Sequence, residues 1–319
     1  LVIVSQRAPA AEKMVFGWSA VAGTQAIPWI TKDAGLFEKN GLDTTLIYLD
    51  GGSRAVQVLL SGDIPIVQGG GSAPVAARLR GGDATMILGI INVLAYSLIV
   101  SPDIKRPEDL RGKKLAVSRY GSNSDYATRK LLTKWGLKPD IDVAILKIPG
   151  GQPTRLGAVR QCQVAGLGAL PPLTSMARKA RLNFLAAPSD FGFNFYTNTP
   201  IVTRGAFIRE RRDVVRRFTR ALVEGIHVYK TQKEFSKKVI AKYMRVNDAE
   251  AFEESYQFFL PVVPVKPSPT LEVIKEVLLE LGEKDPKARA AKAEEFADMS
   301  FVKELDDSGF IDGLYKGKK

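Results

Sequence analysis

The chain has 319 residues, 45% of them hydrophobic and 25% charged, the make-up of a globular protein with room for one large core or two ordinary ones. No apolar run approaches the ~20 residues of a membrane-spanning helix. The formal charge of +12 points toward anionic partners, which could be a small anion, an acidic membrane surface or nucleic acid.

In chain order, the start Leu1-Val2-Ile3-Val4, followed by Ala8-Pro9-Ala10, has the pattern of a signal peptide's apolar region and small-x-small cleavage site. Residues 1–12 are therefore expected to be a leader remnant and a disordered start. A first strand is expected over 14–18, a helix over 24–34, a short glycine-closed helix over 35–41 and a strand over 43–49. Residues 46–80 then repeat one pattern twice. Each half has a short apolar β-branched run, a glycine turn (Asp50-Gly51-Gly52-Ser53, then Gln68-Gly69-Gly70-Gly71-Ser72) and a helix with a serine at its N-cap. Strand, tight turn and helix form the βα unit of a parallel sheet, which lifts helix N-termini to the strands' carboxyl edge. Glycine there lets the backbone approach a ligand closely. The spacing is neither that of a P-loop nor that of a dinucleotide fingerprint.

Beyond a buried strand at 85–91 and a proline-rich connection at 101–112, a second set of βα units begins. Strands are expected at 114–117, 143–148, 164–166 and 183–186, with helices at 126–135, 154–161 and 170–180 between them. The turn Ser118 to Asp125 offers several helix-capping candidates. After an aromatic segment at 191–199 and a last strand at 201–203, the remainder reads as helical, broken by the prolines of 261–269. Within it, Arg211, Arg212, Arg216, Arg217 and Arg220 alternate with Val214, Val215 and Phe218, as on the solvated face of an amphipathic helix. Elsewhere basic residues are interspersed with acidic ones, which argues against nucleic acid as the partner.

The lone Cys162 rules out an intrachain disulfide, and its neighbours Gln161 and Gln163 form no metal or redox motif. The single His227 lies in a helical stretch with no cysteine or second histidine nearby, and reads as structural. No metal site, cofactor or catalytic residue is expected.

Several motifs taken in order resemble ABC-transporter substrate-binding proteins of the sulfonate, nitrate and taurine branch, grouped with thiamine-pyrimidine-synthase-like proteins. They are Gly35-Leu36-Phe37 with Asn40-Gly41-Leu42-Asp43, Asp50-Gly51-Gly52-Ser53-Arg54-Ala55, Leu60-Ser61-Gly62-Asp63, Pro107-Glu108-Asp109-Leu110-Arg111-Gly112-Lys113-Lys114-Leu115-Ala116-Val117, and Phe301-Val302 to Asp307-Ser308-Gly309-Phe310. The resemblance implies an α/β, two-lobed type II periplasmic-binding-protein fold, each lobe a mostly parallel sheet flanked by helices, with a helical C-terminal third. Lobe one would hold 13–97 plus 201–319, and lobe two 98–200. The crossing strands would lie at 97–101 and 195–203.

It further implies an exported, non-catalytic, monomeric receptor that captures a small, anionic organic molecule between its lobes and hands it to a membrane permease. Ligand contacts would come from Trp18, Ser19, Ala20, Gly52, Ser53, Gly70, Gly71, Ser72, Arg119, Gly121, Ser122, Asn123, Ser124 and Leu170. The anionic group is expected at the turn from Gly121 to Ser124, where a helix start and three polar side chains converge. An enzyme on the same fold, whether a pyrimidine-precursor synthase or a small-molecule lyase, and a ligand sensor for a signalling partner stay open as alternatives. One departure from the family pattern is Ala165, which stands where an acidic residue is usual.

Overall fold

The computed structural model describes residues 11–191, 199–283 and 285–316. The leader reading on residues 1–10 and most of the aromatic segment at 191–199 lie outside them. Ten strands are found among the described residues: β1 (Glu12–Trp18), β2 (Leu42–Tyr48), β3 (Ile66–Gln68), β4 (Thr85–Gly89), β5 (Ser97–Val100), β6 (Lys114–Val117), β7 (Ala144–Lys147), β8 (Gly166–Ala169), β9 (Asn183–Ala186) and β10 (Pro200–Thr203). They form two five-stranded sheets, ordered β2-β1-β3-β10-β4 and β7-β6-β8-β5-β9.

In each sheet four strands share a direction and one runs against them. β1 pairs in parallel with β2 and β3, and β10 lies antiparallel between β3 and β4. β6 pairs in parallel with β7 and β8, and β5 lies antiparallel between β8 and β9. The reversed strands are the ones that follow the chain's two passages between sheets, β4 to β5 and β9 to β10. The mostly parallel reading therefore holds for four strands in five.

β8 lies two residues beyond its predicted start, and its composition explains the miss. Gly166-Leu167-Gly168-Ala169 lacks β-branched residues because its neighbours leave no space: a Cβ at 166 would fall 2.5 Å from Ile99 O. The serine N-caps expected after the paired glycine turns are also corrected. Those helices, Gly52–Ser61 and Ser72–Leu79, start one or two residues earlier, behind Gly51 and Gly71, with no side-chain cap. Ser53 Oγ instead donates to Tyr120 O, 3.1 Å away on the second-sheet side.

The first sheet's core is aromatic. Phe218, in the helix Arg212–Thr231, stands 5.4 Å from Phe16 and 5.3 Å from Phe37, and all three are buried. The arginines around that helix are not simply solvated. Arg211 and Arg217 pair with Glu12, Arg212 and Arg216 pair with Glu304, and Arg220 covers the Phe310 ring at 4.1 Å. Much of the charge that suggested an outward-facing basic stripe thus fastens the first strand and the last helices to the body. Two short helical pieces that the sequence reading passed over, Pro286–Ala290 and Ala293–Phe296, fill the C-terminal third.

Candidate functional site

The carboxyl ends of the strands in the two sheets face each other, and the turns that follow them enclose a small cavity of about 30 Å³. Ser19 and Ala20 follow β1, Gly51 and Gly52 follow β2, and Gly69 and Gly70 follow β3. From the second sheet come Ser118, Ser122, Asn123 and Ser124 after β6, Gln152 and Arg155 after β7, and Gly168 and Leu170 from β8 and its turn. Tyr96, just before β5, and Thr199, just before β10, close the side where the chain crosses.

The two glycine turns serve contact between backbones. A Cβ at Gly52 would fall 2.3 Å from Gly70 N, and one at Gly70 would fall 2.8 Å from Asn123 Oδ1. Asn123 Oδ1 in turn accepts from Gly71 N at 3.1 Å, so a second-sheet side chain plugs into a first-sheet turn. Other bonds span the cleft as well: Arg119 Nε donates to Asp50 O at 2.6 Å, and Gly150 N donates to Asp50 Oδ2 at 3.1 Å.

Three hydroxyls form a triangle on the second-sheet wall. Ser118, Ser122 and Ser124 Oγ lie 2.9, 3.1 and 3.0 Å apart. Ser118 N donates to Ser124 Oγ at 3.0 Å, and Asp125 N caps on Ser122 Oγ at 3.5 Å. The three hydroxyl protons close the triangle among themselves, so one that turns to a ligand in the cavity exchanges a triangle bond for a bond to that ligand. The helix behind them, Asn123–Lys134, starts three residues earlier than the periodicity suggested.

Of the fourteen residues named from the sequence, eight line the cavity: Ser19, Ala20, Gly52, Gly70, Ser122, Asn123, Ser124 and Leu170. Six do not. Trp18 packs against Tyr48 and Trp29 and faces an outer groove. Ser53, Gly71 and Arg119 make the bonds across the cleft described above, and Ser72 opens its helix. Gly121 N is taken by Asp125 Oδ2 at 2.8 Å, and Asp125 Oδ1 accepts from Arg129 Nε at 2.8 Å. An internal carboxylate has therefore already claimed the first of the amides expected to hold an anion. Ala165, the departure from the family pattern, lies at the far end of β8, away from the cavity.

Among the lining residues that sequence reasoning did not name, which include Tyr96, Ser118, Gln152 and Thr199, Arg155 matters most. It is 4% exposed and is the one charged side chain on the cavity wall among the described residues. Nη1 donates to Ile148 O at 3.0 Å, while the buried Nε has no partner. No carboxylate lies within ion-pair distance of it among the described residues. Burial pulls its pKa below the usual arginine range; Asp50, Tyr48 and Tyr96 act in the opposite sense. The guanidinium nevertheless stays charged at neutral pH. Beside it, burial pushes the Tyr96 hydroxyl up to about 12, so it is a neutral donor and acceptor. A sequence signal existed: Pro153 in the first helical turn puts Gln152 and Arg155, three apart, on one face at the helix's start.

Two mixed sheets joined by paired crossings, with a polar cleft at their carboxyl edges, define the periplasmic-binding-protein fold. Solved structures agree. The alkanesulfonate-binding protein of Xanthomonas axonopodis bound to MOPS superposes with a TM-score of 0.73 at 17% identity, over 92% of this chain and 100% of its own. The nitrate-binding protein of Synechocystis does so with a TM-score of 0.72 at 12% identity, over 95% and 90%. Residues 25–234 match the NMT1/THI5 like family, and the chain belongs to that family. A protein of Brucella abortus named as a binding protein is 28% identical over 232 residues, 72% of this chain and 71% of its own.

Proposed function

We propose that the protein is a solute receptor that takes a small organic anion into the cavity between its two lobes and delivers it to an ABC permease. Arg155 carries this reading. A buried guanidinium without an ion-pair partner is costly unless something supplies the opposite charge, and its position on the cavity wall makes the ligand the natural supplier. The serine triangle adds neutral donors suited to the anion's oxygens. The anion seat thus moves from the turn at Gly121 to the space between Arg155 and Ser122–Ser124. Similar proteins named for binding, one of them as a periplasmic nitrate-binding protein, support both the receptor role and an exported location. Ligand that bridges the lobes stabilises their closed arrangement, which is what a permease would recognise.

The test has two parts. Mass spectrometry of solute released by denaturing the purified protein should reveal an organic anion, and calorimetry should measure its return to the refolded protein. Arg155→Met should weaken that binding by about a hundredfold or more, as for a lost partner to a buried charge. An unchanged affinity in a folded variant would refute the assignment.

A further inference from the structure

We propose that the anion seat is charge-matched to a single negative charge, and that Asp50, which is not on the cavity wall, sets this preference through Arg155. The inference rests on the anion-receptor reading above. Its basis is the loop at 148–151, which charged groups grasp from two sides. Arg155 Nη1 donates to Ile148 O at 3.0 Å, and two residues on Gly150 N donates to Asp50 Oδ2 at 3.1 Å. The other carboxylate oxygen is fixed by Tyr48 OH at 2.8 Å. Arg119 joins the group through Nε, which donates to the Asp50 carbonyl at 2.6 Å.

Two guanidinium groups and one carboxylate leave a net charge of one positive. An entering monoanion brings the group to neutrality, whereas a dianion leaves an uncompensated negative charge near the half-buried Asp50 at the edge of the cleft. Charges near a protein surface still interact several times more strongly than in bulk water. The Asp50 carboxylate is held by a hydroxyl on its own side and an amide across the cleft, so it cannot swing away to relieve the repulsion. Hydroxyls, amides and Tyr96 are neutral and serve either kind of anion. Discrimination between one charge and two therefore falls to the Arg119, Arg155 and Asp50 set.

Calorimetric titration with methanesulfonate and with sulfate, at neutral pH and matched ionic strength, tests this directly. The parent protein should favour the monoanion. Asp50→Asn removes the charge and keeps one of the two acceptors: the amide oxygen can still take Gly150 N–H, and the amide NH2 can donate to a Tyr48 hydroxyl that turns to accept, so the change should shift the preference toward sulfate by about tenfold. Arg119→Gln removes a positive charge from the same set and should shift it the opposite way. Tyr48→Phe, which keeps all three charges, should leave the ratio in place. If Asp50 only latches the two sides together, Asp50→Asn will weaken both anions alike; an unmoved ratio in Asp50→Asn or in Arg119→Gln overturns the proposal. A parent that binds neither probe overturns it too, and loss of every organic anion from the protein's own solute would bring down the receptor reading separately.

Discussion

Replacing Gly70 by alanine should cost affinity without costing the fold. Gly70 does not have a positive φ, so its backbone conformation suits alanine. The obstacle is across the cleft: the new Cβ would fall 2.8 Å from Asn123 Oδ1 and 3.2 Å from its Cγ, where ordinary contact begins near 3.4 Å. Asn123 is buried and cannot retreat by that much without releasing the Gly71 N–H, 3.1 Å away. Leaving that buried donor unpaired costs about 1–3 kcal/mol. The penalty exists only while the two sides are together, so it falls on the closed arrangement and lowers apparent affinity about ten- to a hundredfold. Calorimetry with the natural solute measures this, and small-angle scattering should show a more extended Gly70→Ala protein at the same ligand concentration. Adding Asn123→Ala removes the clash, so the double variant should bind no worse than Asn123→Ala alone. Parental affinity in folded Gly70→Ala would refute the idea that the glycine seam governs closure.

Ser122→Ala removes one hydroxyl of the triangle together with a helix cap, and should weaken anion binding about tenfold while lowering stability by about 1 kcal/mol. Ser122→Asp places a negative charge on the wall and should abolish anion binding; calorimetry on folded protein compares the two. Hydrogen bonds from Arg216 and Arg212 hold the Glu304 carboxyl below its usual range. A carboxyl whose pKa is lower folded than unfolded contributes stability above the unfolded value and loses it as pH falls through the folded one. Because Glu304 is partly exposed, the effect should stay within about 1 kcal/mol. Melting curves of Glu304→Gln and parent should therefore differ at neutral pH and converge in acid, and a constant gap would contradict the assignment.

The fold was legible because most of its strands are apolar β-branched runs and its turns are marked by glycine. β8 was placed two residues early because Gly166 answers to crowding by Ile99 and Leu115, a tertiary constraint that leaves no local signature. Much of the site's eventual shape can be traced to the same turns, since Ser19, Gly52, Gly70, Asn123 and Leu170 all follow strands. Arg155 was harder to see. An arginine within a polar helix ordinarily faces water, and only the wrap of the loop at 148–151 and the approach of the opposite sheet bury it. Asp125 misled for the opposite reason. Its short side chain reaches back to Gly121 N, so the acidic residue occupies the very helix start that looked open to an anion.

The arginine-bearing helix Arg212–Thr231 has a consequence for how the polypeptide is threaded. Glu12, at the head of β1, and Glu304, in the helix Ser300–Asp307, are both anchored to arginines at its beginning, at 2.7 Å from Arg217 and 2.8 Å from Arg212. Segments nearly three hundred residues apart in the chain thereby meet within one turn or two of a single helix. A polypeptide whose outer segments converge in this way tolerates being relinked there and opened elsewhere. The exposed turn at Ile141, remote from the glycine seam, would be a natural new opening, because cutting there parts none of the strands that carry the cavity.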